Sequence, residues 1–333
     1  MSSATEIIAR LRSFDLDGWL RPPCPPVVLA LEPRALTLLR VKRRRRGKAV
    51  LEACQSRPLE GVPTSIFQAG TIASDDLGAR LRELFEVTGT RPGRVSLVIP
   101  DNLAKVTLLG LPERPSSRRQ LDELVRAKMR RAVPFRLDDA SISYQLLSGE
   151  SRGVGLLVVV SRRALIERIE RAVDALGSRV GLIDISTPNL INLCRESMDS
   201  TAGEGDVAML NCATNYFSLV ILRNQRLIFF RCKTFAIGDE LPGGPNGVLV
   251  REVANSFAYY REKLEGRGIR SVLVRSSSRP TGELGRRLLE LGCGEVDVVD
   301  PTIGFESGEG VTMDASTAQR IAPAIGAAVA RGR

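Results

Sequence analysis

The side chains able to do chemistry are few, and their types set the first bounds. The 333-residue chain has no histidine, so the commonest proton-transfer group and metal ligand is missing. A Ser/His/Asp set therefore cannot form. A Ser–Lys pair stays open, but no nucleophile-elbow motif accompanies it. The six cysteines, Cys24, Cys54, Cys194, Cys212, Cys232 and Cys293, are dispersed, with no C-x-x-C pair and no metal-ligand spacing. Most lie in apolar runs, which suits buried thiols in a reducing compartment and not a disulfide framework. What remains is charge. The formal net charge of +10 favours an anionic partner, whether nucleic acid, lipid headgroups or an acidic protein face.

The densest cationic run is Lys42-Arg43-Arg44-Arg45-Arg46-Gly47-Lys48. It separates two strand-like stretches, so it is expected at the solvated tip of a β-hairpin. One reading is a charged loop that discourages edge pairing. The other is contact of Arg43, Arg44, Arg45, Arg46 and Lys48 with anionic lipid, each cation contributing about 1 kcal/mol near the surface. No stacking aromatics interleave with these charges, which ranks nucleic acid last. Residues 1–26 form a separate appendage. Ile7, Ile8, Leu11 and Phe14 make a short apolar stripe, flanked by Arg10, Arg12 and Arg21 and followed by a proline-rich joint. This segment reads as a helix packed on its own domain or as one that meets a membrane surface or partner.

The rest of the chain supplies the scaffold. Strands are expected over 27–31, 36–41 and 49–56. A helix opened by Ser74, Asp75 and Asp76 follows, and then a strand over 94–100. An apolar strand over 155–160 leads to a helix capped by Ser161 and ended by Gly177, and a strand over 182–185 follows. Composition shifts to small and acidic residues over 199–205, the best linker candidate. Beyond it come strands over 207–211, 217–223 and 226–233, with Asn224-Gln225 as a tight turn. A helix over 247–265, further strands over 271–274 and 295–299, a helix over 281–291 and an Ala-rich terminal helix over 316–329 complete the pattern. The two halves share an order of elements that suggests duplicated architecture. No apolar run approaches the roughly 20 residues that span a bilayer, nor is there a signal peptide, so the chain is expected to be cytoplasmic.

Within the first half, between the strands over 94–100 and 155–160, lies Arg130-Arg131-Ala132-Val133-Pro134-Phe135-Arg136-Leu137-Asp138-Asp139. A helix with a Ser117/Gln120 capping box runs into it, Pro134 stops that helix, and Ile142, Tyr144 and Leu146 alternate beyond it as a half-buried strand. A charged helix, a Val-Pro-Phe corner, two acids and an alternating strand together resemble PilM, the actin-like family of type IV pilus assembly related to the cell-division protein FtsA. The strand and helix over 155–177, the meander from Val207, and Asp297-Val298-Val299-Asp300-Pro301 are similar to that family in order and spacing.

The resemblance implies an α/β actin-like ATPase (ribonuclease H-like) fold of two lobes, with an α+β subdomain inserted in the first. On that basis 1–26 is the appendage, 27–100 the first lobe with its final helix at 184–200, 101–183 the insertion and 206–333 the second lobe. Family members hold nucleotide on glycine-containing loops. The matching residues here are Glu32-Pro33-Arg34, Asn211 with Ala213 and Thr214, and Ser276, Ser277 and Ser278, none of them glycine. Pro33 also lacks an N–H. The resemblance thus implies a cytoplasmic scaffold at the inner membrane that binds the tail of a PilN-like bitopic protein, with no cofactor, no metal and no ATP hydrolysis. The alternatives are an ATPase with an altered ATP/Mg²⁺ site, or a type II secretion component like GspL; self-association stays open.

Overall fold

The computed structural model describes residues 25–44, 48–68, 72–113, 115–147, 154–200, 204–235, 247–278 and 280–330. The helix expected within 1–26, and Arg45 and Arg46, lie outside these residues. The first strands, β1 (Val27–Glu32), β2 (Ala35–Lys42) and β3 (Ala49–Pro58), form an antiparallel meander with Leu29 opposite Leu38. The apolar runs of β1 and β2 reflect burial on both faces, which strict alternation would not give, whereas β3 is only partly buried. Helix α1 (Ser74–Val87) carries the chain to β4 (Arg94–Ile99), which pairs parallel with β1.

The chain then leaves this sheet. A short turn (Asp101–Leu103) leads to β5 (Ala104–Leu111), α2 (Arg118–Met129), β6 (Ala140–Leu147), β7 (Val154–Arg162) and α3 (Arg163–Asp174). Strands β5, β7 and β6 form a three-stranded antiparallel sheet in that order. The Ser117 hydroxyl accepts from the Gln120 N–H at 3.2 Å, as a capping box requires, whereas the Gln120 side-chain Oε1 accepts from the Ser116 N–H at 3.0 Å. Ser161 is not the cap of α3. It belongs to β7 and donates to the Leu103 carbonyl at 2.9 Å, and Arg162 takes the cap position.

Strand β8 (Arg179–Ile185) returns parallel to β4 in the first sheet, so its pairing places 179–183 with the first lobe instead of the insertion. Helix α4 (Ser186–Ser200) follows. The second half repeats the scheme: β9 (Asp206–Cys212), β10 (Tyr216–Arg223) and β11 (Arg226–Thr234) form a meander. Asn224 and Gln225 both adopt positive φ, 49° and 64°, as a tight hairpin turn demands. Helix α5 (Gly247–Lys263), β12 (Ile269–Ser276), α6 (Thr281–Glu290) and β13 (Glu295–Val298) extend the sheet to the order β11-β10-β9-β12-β13. The first sheet has the equivalent order β3-β2-β1-β4-β8, so the duplication exists in topology.

The last residues cross back. Strand β14 (Phe305–Ser307) pairs parallel with β3, and α7 (Ala315–Val329) packs on α4 and on β1. Residues 305–329 therefore pack with the first sheet, where the resemblance implied a second lobe over 206–333, because the apolar face of the Ala-rich helix is buried there. One apolar core joins Val28 and Leu39 of the first sheet, Met209 and Val220 of the second, and both α4 and α7.

Candidate docking groove and interlobe cleft

Two concavities hold the candidate residues. The first lies where residues 63–68 face the inserted sheet, and it encloses about 290 Å³ between Pro63, Ile66, Leu103, Asp139, Arg163 and Leu165. Its loop wall is fixed from both sides. The Ile66 N–H donates to the Asn102 carbonyl at 2.7 Å, and the Asn102 amide donates to the Thr64 carbonyl at 2.6 Å. Arg162 donates through Nε to the Ile66 carbonyl at 2.8 Å, and its guanidinium lies 4.3 Å over the Phe135 ring. The Pro134-Phe135 corner thus positions the arginine that holds the groove wall. Phe67 belongs to the same segment but does not line the groove, and it leaves 64% of its surface exposed beside it.

The second concavity is the cleft between the lobes, about 260 Å³. The β1–β2 turn, the β9–β10 turn and the end of β12 converge there, bringing Glu32, Pro33, Arg34, Ala213, Thr214 and Ser277 together. Asn211 and Ser276 are buried. Ser278 is exposed and does not line the cleft.

Sequence patterns gave no sign of the group that dominates this cleft. Arg275, 3% exposed, donates from Nε to the Gln319 carbonyl and from Nη2 to the Arg320 carbonyl, both at 2.7 Å, and from Nη1 to Asn211 Oδ1 at 3.0 Å. It thereby ties β12 to α7. Burial pushes the Glu32 carboxyl up to about 7, while the nearby Arg275 and Arg320 charges oppose that rise. Asp101, also unanticipated, is fully buried. Its carboxylate accepts from the Thr187 N–H at 3.0 Å, the Thr187 hydroxyl, the Asn211 amide at 3.2 Å and the Ser218 hydroxyl at 2.8 Å. Burial raises its proton affinity against these four donors.

At this cleft Pro33 offers no N–H, Asn211 Oδ1 already accepts from Arg275, and the Arg275 side chain occupies the junction of β12 and α7. Among the described residues no group of three His, Cys, Asp or Glu side chains could hold a metal ion. Burial pushes the thiols of Cys54 and Cys293 to about 11 and that of Cys194 to about 12, which removes them as nucleophiles at neutral pH.

The described basic residues of the hairpin contact the segment that returns from the second half. Arg43 donates to the Ala328 carbonyl at 2.8 and 2.6 Å and to the Ala330 carbonyl at 3.2 Å, satisfying acceptors at the end of α7. Arg44 pairs with Glu306 at 2.8 Å and Lys48 donates to the Thr302 carbonyl at 2.8 Å. The described residues of the run, Arg43, Arg44 and Lys48, thus hold the returning segment. Among the described residues no helix is long and apolar enough to cross a membrane.

The family model for the type IV pilus assembly protein PilM matches residues 31–241. No curated protein matches the chain by sequence. A solved structure described as the PilM–PilN type IV pilus biogenesis complex is similar at a TM-score of 0.73 and 18% identity, covering 93% of this chain and 98% of that one. A Bacteroides thetaiotaomicron protein with an actin-like ATPase fold is similar at a TM-score of 0.50 and 10% identity, covering 83% of this chain and 90% of that one.

Proposed function

The chain belongs to the PilM family of type IV pilus assembly proteins and has the actin-like fold, and from that premise we propose that it acts as a docking scaffold without ATP hydrolysis. Its partner is the cytoplasmic tail of a PilN-like bitopic protein, which keeps the scaffold at the cytoplasmic face of the inner membrane. The observation that carries this reading is the groove between residues 63–68 and the inserted sheet. It combines a pinned wall and an apolar floor at Leu103 and Leu165, with an exposed aromatic, Phe67, in the adjoining segment outside its lining. A preorganised wall lowers the ordering cost of binding, and an exposed aromatic beside a pocket is the usual form of an anchor.

Anisotropy titration of a fluorescent tail peptide tests it. Saturable binding is expected, weakened about tenfold by Phe67→Ala, whose side chain adds little to the fold because it is mostly solvated. No binding at tens of micromolar overturns the reading. The competing reading, a working ATPase, is favoured by the carboxylate of Glu32 in the cleft. A nucleotide at about 100 times its Kd would stabilise the protein by roughly 2.7 kcal/mol. No thermal shift with millimolar Mg²⁺-ATP is expected here, and a shift would favour the ATPase.

A further inference from the structure

One three-residue turn borders the groove at one end and belongs to the interlobe hydrogen-bond network at the other. Asp101, its first residue, is the acceptor that joins Thr187 at the start of α4 to Asn211 and Ser218 in the second sheet. Asn102, its second, holds the groove wall through the Ile66 N–H and the Thr64 carbonyl. Leu103, its third, lines the groove, and its carbonyl accepts from Ser161 on the inserted sheet. Strand β11 of the second lobe packs against the same turn and against β5. All three residues are buried, and Asp101 is fully so. Each of the three is also hydrogen-bonded, although Asn102 Oδ1 has no partner, and a packed segment this short shifts as one unit.

We propose that the Asp101–Leu103 turn couples the docking groove to the packing of the two lobes, so that occupancy of the groove and the interlobe hydrogen-bond network bias each other. This regulation rests on the docking reading above. Thr187 and Ser218 are positioning residues in it: neither lines the groove, and each acts on it only through Asp101. Arg275 extends the network, since its guanidinium fixes Asn211 Oδ1 and so aims the Asn211 amide at Asp101. Coupling of this kind is reciprocal by thermodynamic necessity.

The test measures tail-peptide affinity for the full chain and for Thr187→Val, Thr187→Ser and Ser218→Ala, with circular dichroism melts to establish folding. Hydrogen exchange is followed over 207–222 with and without peptide. Thr187→Val and Ser218→Ala are expected to weaken binding by at least about fivefold. Thr187→Ser, which keeps the hydroxyl, is expected to bind as the parent does. Peptide is expected to slow exchange over 207–222, which it does not touch. Unchanged affinity in both hydroxyl-deleted variants, an equal loss in Thr187→Ser, or unchanged exchange on a peptide that binds the parent each overturns the coupling. Failure of the parent to bind overturns the docking reading instead.

Discussion

Glu32 shows what a single buried acid does to this cleft. Its ordinary value is 4.5 and burial lifts it to about 7 in the folded chain. Between those values the folded state holds more protons than the unfolded one, so the contribution to stability is full below pH 4.5. It falls as pH rises to 7 and is flat above. Glu32→Gln is neutral at every pH and escapes that loss. Urea unfolding should find this variant less than about 1 kcal/mol more stable than its parent at pH 5 and roughly 1–3 kcal/mol more stable at pH 8. An equal difference at both pH values would contradict the burial of this carboxyl. The turn that carries Glu32 was identifiable from the resemblance, but the cleft's chemistry was not. Arg275 and Asp101 act through partners tens to more than a hundred residues away, Gln319 and Ser218 among them, and no local pattern records such pairing.

At the level of elements, local signals did well where the cause is local. The Ser117 cap, the Asn224-Gln225 turn and both meanders depend on neighbours in sequence, and all form. Ser161 misled because a serine before an apolar helix reads as a cap, whereas the Leu103 carbonyl offered its hydroxyl a tertiary acceptor. The closest approach between elements was also hidden. A Cβ added to Gly326 of α7 would lie 2.0 Å from the Asn189 carbonyl oxygen of α4, backbone against backbone. Gly326→Ala must separate those helices, and overpacking of this kind costs about 1–3 kcal/mol, at times more. The variant's urea midpoint should fall with its m-value unchanged; a midpoint equal to the parent's would mean that the helices do not pack so closely.

The whole molecule is unified by the α4–α7 pair, which lies in a core common to both sheets. Neither lobe can expose that core without exposing the other's face. Near-ultraviolet circular dichroism of the buried Tyr216 and Tyr260 and the far-ultraviolet circular dichroism of the chain should therefore report one coincident unfolding transition in urea; two separated transitions would show lobes that unfold independently. The overall class was readable from the order of elements, as was the existence of two similar halves. The return of 305–329 to the first sheet was not, because an Ala-rich helix pattern states that a face is buried without stating against what.

That return also sets an order in time. Strand β3 ends at Pro58, yet the strand that covers its edge and the helix that seals the first sheet come about 250 residues later. At cellular elongation rates the interval is on the order of ten to fifty seconds. Throughout it, the nascent first sheet presents Val28, Leu39 and Leu51, all eventually fully buried, without their final partners. Cellular yield of this protein should therefore depend on what shields that face during synthesis, a requirement that the finished molecule no longer shows.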